Sequence, residues 1–215
     1  MTNRENFIAQ LGFSLDKFQV KALDAIDQGK SVLVAAPTGS GKTVIGEYAV
    51  ARALSRGGKC FYTTPLKALS NQKFSDLREK YGDGSVGLLT GDNSVNASAS
   101  ILVMTTEVLR NMIYADSSAL EGLESVVLDE VHYLQDRHRG PVWEEVIVHL
   151  PLEVDLVCLS ATVSNAEQFS DWIETVRGAT TVIIEEKRPV DLRQRYLVAE
   201  RDVDELIMLP IFVDD

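Results

Sequence analysis

Seven short apolar runs punctuate the chain, at residues 32–35, 60–63, 86–89, 101–104, 126–128, 156–159 and 182–184. Each has strand length, and most are unbroken by polar residues, as in strands covered on both faces. Between most of them, apolar residues recur at helical spacing. The sets are Ile45, Tyr48, Ala49 and Ala53; Leu66, Leu69, Phe74 and Leu77; Trp143, Val146, Ile147 and Leu150; and Phe169, Trp172, Ile173 and Val176. Ser164, with Glu167 three residues on, forms a capping box that sets the start of the last of these helices. Alternating strands and helices predict an α/β fold, a mostly parallel central sheet with helices on both faces. Such sheets bind ligands beyond the carboxyl ends of their strands, so the residues that follow each run are the candidates for chemistry.

After Lys187-Arg188-Pro189 the pattern loosens, and the chain closes on an apolar stretch, 206–213, and two aspartates. The expectation is one domain over 1–187, with 188–215 a linker and the start of something further. A C-terminal strand or helix docked on the same sheet is the alternative.

Composition narrows the class. At 215 residues, 45% hydrophobic and 25% charged, the chain is ordinary for a globular protein with one well-buried core. No run approaches the roughly 18 apolar residues of a membrane span, and the first residues lack the apolar centre of a secretion signal. Cytoplasmic residence is therefore expected. Cys60 and Cys158 each lie inside an apolar run and read as buried free thiols rather than a disulfide or metal site. The net charge of −11 argues against a broadly basic surface, so any nucleic-acid binding must come from a local patch.

Residues 36–43 read Ala-Pro-Thr-Gly-Ser-Gly-Lys-Thr between a strand run and a helix. That is a phosphate-binding loop in its expected setting. Gly39 and Gly41 let the backbone turn tightly around an anion, and the helix that follows directs its positive end there. Pro37, Thr38, Gly39, Ser40, Gly41, Lys42 and Thr43 form the candidate cradle, Lys42 reaching the β- and γ-phosphates and Thr43 a magnesium ion. Ala36 stands where the strict pattern has its first glycine. Asp129-Glu130-Val131-His132 follows another run. In an ATPase such a pair lets Asp129 hold the metal through water, while Glu130 orients or deprotonates the attacking water. Ser160-Ala161-Thr162 ends a third run.

These three motifs, in this order, resemble the first motor domain of superfamily-two helicases of the DExH-box type. More of the chain carries the resemblance: Thr64-Pro65-Leu66-Lys67-Ala68-Leu69-Ser70-Asn71-Gln72-Lys73, Leu89-Thr90-Gly91-Asp92, Met104-Thr105-Thr106-Glu107-Val108-Leu109-Arg110-Asn111-Met112, and Arg139-Gly140-Pro141-Val142-Trp143-Glu144-Glu145. They are similar to superkiller-type (Ski-like) RNA helicases, with the bacterial HelY-like branch nearest, over residues 7–190. The resemblance implies a RecA-like domain that binds ATP with magnesium, residues 1–187, and over 188–215 the linker to a second such domain. It implies an adenine-recognition segment at 7–28, with Phe13 stacking on the base and Gln19 pairing with its edge. It makes His132, Ser160 and Thr162 coupling groups between the nucleotide and the RNA.

The same resemblance assigns single-stranded nucleic acid, RNA favoured over DNA, to Pro65, Lys67, Asn71, Gly91, Thr105, Thr106 and Arg110. From the residues alone, the segment from Pro65 offers helix-start N–H groups, hydroxyls and Lys67 to phosphates, and an ordinary amphipathic helix with a solvated face is an equal reading. The binding face is expected to carry Lys67, Lys73 and Arg110. His138 reads as part of a short basic loop and His149 as facing outward or toward a neighbour.

No Gln-x-x-Gly-Arg-x-Gly-Arg segment of a second motor domain occurs in the chain. The chain by itself is therefore expected to bind ATP or ADP, to hydrolyse ATP feebly, and to hold RNA weakly. A DNA-repair helicase motor and a nucleotide-dependent partner-binding module are the alternatives. A P-loop kinase of small molecules is weaker, because it leaves Ser160-Ala161-Thr162 and the Pro65 segment unexplained.

Overall fold

The computed structural model describes residues 3–161, 166–190, 195–199 and 206–210. All seven apolar runs are strands. In chain order the strands are β1 (Ser31–Ala35), β2 (Lys59–Thr64), β3 (Val86–Leu89), β4 (Ser94–Val95), β5 (Ile101–Thr105), β6 (Leu123–Leu128), β7 (Asp155–Ser160) and β8 (Thr180–Ile184). They form one sheet in the order β4-β3-β5-β2-β6-β7-β1-β8. Every neighbouring pair is parallel except β3 and the two-residue β4. The β3–β4 return is tight, since a Cβ on Gly87 would stand 2.2 Å from the Asn96 carbonyl oxygen.

Helices α1 (Asn3–Gln10), α2 (Lys17–Asp27), α3 (Thr43–Ser55) and α4 (Lys67–Tyr81) cover one face, and α5 (Thr106–Tyr114), α6 (Gly140–His149) and α7 (Ala166–Arg177) the other. Strand residues alternate between the two resulting cores. Val32, Val34, Cys60, Tyr62, Val127, Val157 and Leu159 pack toward α1–α4. Leu33, Phe61, Val126, Leu128, Leu156 and Cys158 pack toward α5–α7. This two-sided burial is why the runs are continuous rather than alternating. Both cysteines are free and buried, and burial pushes each thiol up to about 12.

Helix α3 lies tight against the sheet at Gly46, where a Cβ would lie 2.9 Å from the Tyr62 ring and 3.2 Å from Val127. Arg177, at the end of α7, is buried and donates to the carbonyls of Leu150, Pro151 and Val154, which ties that helix to the turn before β7. The box at Ser164 and Glu167 lies outside the described residues, although α7 itself begins at Ala166. Strands β9 (Arg195–Ala199) and β10 (Leu206–Pro210) form an antiparallel pair with each other, separate from the central sheet.

Candidate nucleotide and nucleic-acid sites at the carboxyl edge of the sheet

The loop from Ala36 to α3 turns on Gly39 and Gly41, both with φ of +83°, a conformation that costs a side-chain-bearing residue energy. Ala36 is buried, and its N–H donates to the Ser160 carbonyl at 3.1 Å, so this residue belongs to the end of β1 rather than to the turn. A methyl group fits there, which accounts for the departure from the strict glycine pattern. The Lys42 ammonium donates to the carbonyls of Ala36 at 2.7 Å and Pro37 at 3.0 Å. Burial lowers its pKa, and the carboxylates of Glu130 and Asp129 oppose that shift. Thr38, Gly39, Gly41 and Thr43 are exposed, whereas Pro37 and Ser40 are buried.

Gln19 is buried in the first turn of α2. Its carbonyl oxygen accepts from the Asp16 N–H at 2.8 Å, and its amide nitrogen donates to the Gly41 carbonyl at 3.0 Å. One side chain thus caps α2 and braces the phosphate loop. Phe13 is 54% exposed in the turn before α2. A cleft of about 550 Å³ lies against the start of α2, lined by Asp16, Lys17, Phe18, Ser40, Glu185, Lys187, Arg188 and Pro189. The last three were legible only as the place where the strand–helix pattern loosens. Their arrival here depends on β8 lying next to β1.

Asp129 follows directly on β6, two strands from β1, with β7 between them. Each of its oxygens is held: Oδ1 accepts from the Glu130 N–H at 2.9 Å and Oδ2 from the Tyr62 hydroxyl at 2.8 Å. Burial, with Asp129 adding to it, raises the Tyr62 phenol well above its ordinary value, so it remains a donor. Glu130 is left-handed, at φ +54° and ψ +41°, a strained backbone for this residue type. Its carboxylate reaches His132, whose Nδ1 lies 3.2 Å from Glu130 Oε2. The Ala161 N–H donates to the same nitrogen at 3.4 Å. Nδ1 serves Glu130 when protonated and Ala161 when not, so the imidazole tautomer selects its partner. The Ser160 hydroxyl is buried without a hydrogen-bond partner. Thr162 lies outside the described residues.

Thr43, Asp129 and Glu130 share one cleft of about 250 Å³ with Thr64, Leu69, Gln72, Lys73 and Asp76. A hydroxyl and carboxylates facing one small space are the hard oxygen donors that magnesium takes. Lys73 therefore faces this cleft and departs from the expected grouping with Lys67 and Arg110. Six positions along a helix is about 240° of rotation from Lys67, so the two lysines serve different sides of α4.

The nucleic-acid candidates follow β2, β5 and β3, which are adjacent in the sheet. Lys67 and Asn71 are exposed on α4, Gly91 is exposed after β3, and Pro65 is buried. Lys67 pairs with Asp92 at 2.9 Å, and its hydrogen bond, with one from Thr90, holds the Asp92 carboxyl below the usual carboxylate range. Arg110 lies 3.7 Å from Glu145. Thr105 and Thr106 are buried at the start of α5, the latter with its hydroxyl unpartnered. His138 is exposed, and His149 packs against Tyr114 with ring centroids 5.3 Å apart.

A parallel sheet with a phosphate loop after its first strand and an acidic pair at the end of β6 defines a RecA-like P-loop domain. The DEAD/DEAH box helicase family matches residues 16–169, and the chain belongs to that family. Probable helicase HelY of Mycobacterium leprae is 64% identical over 198 residues, which are 92% of this chain and 22% of that protein. The DExH-box ATP-dependent RNA helicase DExH15 of Arabidopsis thaliana is 48% identical over 198 residues, 89% of this chain and 17% of that protein. The chain thus spans about a fifth of the length of these relatives, and the superkiller-type likeness is borne out by the antiviral helicase SKI2 of Saccharomyces cerevisiae, 50% identical over 181 residues, 84% of this chain and 14% of that protein. The crystal structure of the DUF1998 helicase MrfA bound to DNA and AMPPNP shares the fold, with a TM-score of 0.70 at 20% identity over 85% of this chain and 29% of that one. Among the described residues no helix is long and apolar enough to cross a membrane.

Proposed function

We propose that this chain is the ATP-binding motor domain of a cytoplasmic ATP-dependent RNA helicase, with nucleotide and RNA bound side by side along one sheet edge. The observation that carries this reading is the shared cleft of Thr43, Asp129 and Glu130 beside the phosphate loop. Lys42, released from the carbonyls it now holds, takes the β- and γ-phosphates, and the N–H groups of the turn at Gly39 to Thr43 surround them. Bound magnesium would neutralise phosphate charge, held by Thr43 and, through water, by Asp129. Glu130 orients the attacking water and accepts its proton. Phe13 stacks on adenine, and Gln19, already bonded to Gly41, reports an occupied base site to the loop. His132 and Ser160, with Thr162, relay the state of Glu130 toward the nucleic-acid side.

Residues 1–187 are the first motor domain under this reading, and 188–215 lead into a second. The separate sheet of β9 and β10 supports that division, with the apolar side chains of Tyr196, Leu197, Leu206 and Met208 exposed rather than packed into either core of the central sheet. RNA is favoured over DNA by the superkiller-type motifs and by the likeness to the Arabidopsis RNA helicase. MrfA, which is bound to DNA in its crystal structure, keeps DNA as the second reading.

Calorimetric titration of ADP with magnesium into this chain and into Lys42→Ala tests the nucleotide site, alongside ATPase measurement with and without single-stranded RNA. Binding lost in the variant, with negligible turnover in either, supports an isolated motor domain awaiting arginines from a second domain. Robust turnover by the chain alone would end the fragment reading. Competition between single-stranded RNA and DNA for the full-length protein decides the polymer, since the 2′-hydroxyl is the distinguishing group.

A further inference from the structure

Tyr62 lies in the middle of a buried strand, where a phenylalanine or valine would satisfy the core equally well. Its ring is fully buried, and its hydroxyl emerges beneath Asp129. Three features converge on that placement. Strand β2 lies beside β6, with Tyr62 in register with Val127, so the side chain runs along the neighbouring strand toward the carboxylate two residues on. Gly46 of α3 clears the path, since a Cβ there would stand 2.9 Å from the ring. The Lys73 ammonium, on α4, sits 5.3 Å from the ring centroid, within cation–π range.

We propose that the Tyr62 hydroxyl is a positioning group that fixes Asp129 for its magnesium ion, and that Lys73 over the ring strengthens this hold. The proposal rests on Asp129 serving the metal under the proposed function. A carboxylate that binds metal through water needs a fixed rotamer and an outward lone pair on each oxygen. The Glu130 N–H fixes one oxygen and the Tyr62 hydroxyl the other, which leaves the remaining lone pairs for metal-bound water. A cation above a phenol ring draws electron density from it and makes the hydroxyl a better donor. Lys73 is itself held 3.9 Å from Glu47 and 3.8 Å from Asp76. Helix α4 thereby links the cleft wall to the nucleic-acid candidates at its first turn.

The test titrates magnesium into the protein at fixed ADP, by calorimetry, for wild type, Tyr62→Phe, Lys73→Gln and Asp129→Ala. Tyr62→Phe removes one oxygen and keeps the ring's packing. The expected result is an unchanged affinity for ADP in EDTA, with the magnesium needed for half-saturation raised on the order of tenfold in Tyr62→Phe. Lys73→Gln also removes a cation from the cleft, so it is measured in wild type and in Tyr62→Phe: the direct charge effect is common to both, and the part that acts through the hydroxyl raises the half-saturating magnesium a few-fold only where the hydroxyl is present. Magnesium dependence that is lost in Asp129→Ala but unchanged in Tyr62→Phe overturns the positioning role alone. Magnesium dependence unchanged in Asp129→Ala overturns the metal assignment and the positioning role with it.

Discussion

The two halves of the sheet's carboxyl edge handle charge in opposite ways. At the ends of β1, β7 and β6, charged groups are held by neutral partners: Lys42 by two backbone carbonyls, Asp129 by an N–H and a phenol. At the ends of β2, β5 and β3, carboxylates stand against the cations: Lys67 pairs with Asp92 at 2.9 Å, and Arg110, hydrogen-bonded to the Asn111 amide oxygen, lies 3.7 Å from Glu145. Neutral partners orient a charge without cancelling it, which suits a compact ligand of fixed geometry. Exposed ion pairs contribute little and exchange readily, which suits a flexible polymer whose phosphates replace the carboxylates one by one. The acidic net charge of the chain is thus compatible with nucleic-acid binding, because part of it neutralises cations that a phosphate strand would claim.

This contrast is open to breakage, first on the nucleotide side. Glu130→Gln in a full-length protein carrying both motor domains should lower steady-state ATPase about 10²- to 10⁴-fold while leaving binding of ADP with magnesium intact. Equal losses of both would show that Glu130 holds the loop rather than the water. Lys42→Ala should weaken ADP on the order of a hundredfold in calorimetry, since it removes charge-assisted bonds from a prearranged site. A loss of only a few-fold would place the phosphates elsewhere.

Gly46→Ala tests the packing between the halves. Its Cβ meets the Tyr62 ring, Val127 and Leu159, so thermal or urea unfolding should show a loss of about 1–3 kcal/mol, and an unchanged midpoint would mean that α3 shifts freely on the sheet. The smallest change belongs to the nucleic-acid side. Asp92→Asn frees Lys67 and should tighten single-stranded RNA by less than about fivefold, an effect that fades as salt is raised. Weaker binding by that variant would make Asp92 a positioning group for Lys67 rather than a competitor of phosphate.

Much of the molecule was legible one residue at a time. The continuous runs became strands because both faces of the sheet are covered, and the glycines of the loop mark left-handed backbone that other residues reach only with strain. Strand β4 escaped notice because two exposed residues carry no periodicity. Tyr62 read as one more core aromatic, with only its polar tip as a signal that it needs a partner. Glu130 gave no sign of its left-handed backbone, which belongs to the turn into the short helical segment Val131–Gln135.

What the sequence by itself determined is the set of local choices: where strands and helices form, where the loop turns, and which carboxylates follow a buried strand. Strand order, which differs from chain order, was decided only in the tertiary structure. It sets β2 against β6, so that Tyr62 reaches Asp129, and β8 against β1, so that Lys187 and Arg188 line the cleft beside Phe18. Short-range patterns follow from covalent geometry and solvation, which each segment carries with it. Contacts between distant segments arise only when the sheet closes and both cores are filled, because only the whole packing arrangement selects which strand ends become neighbours.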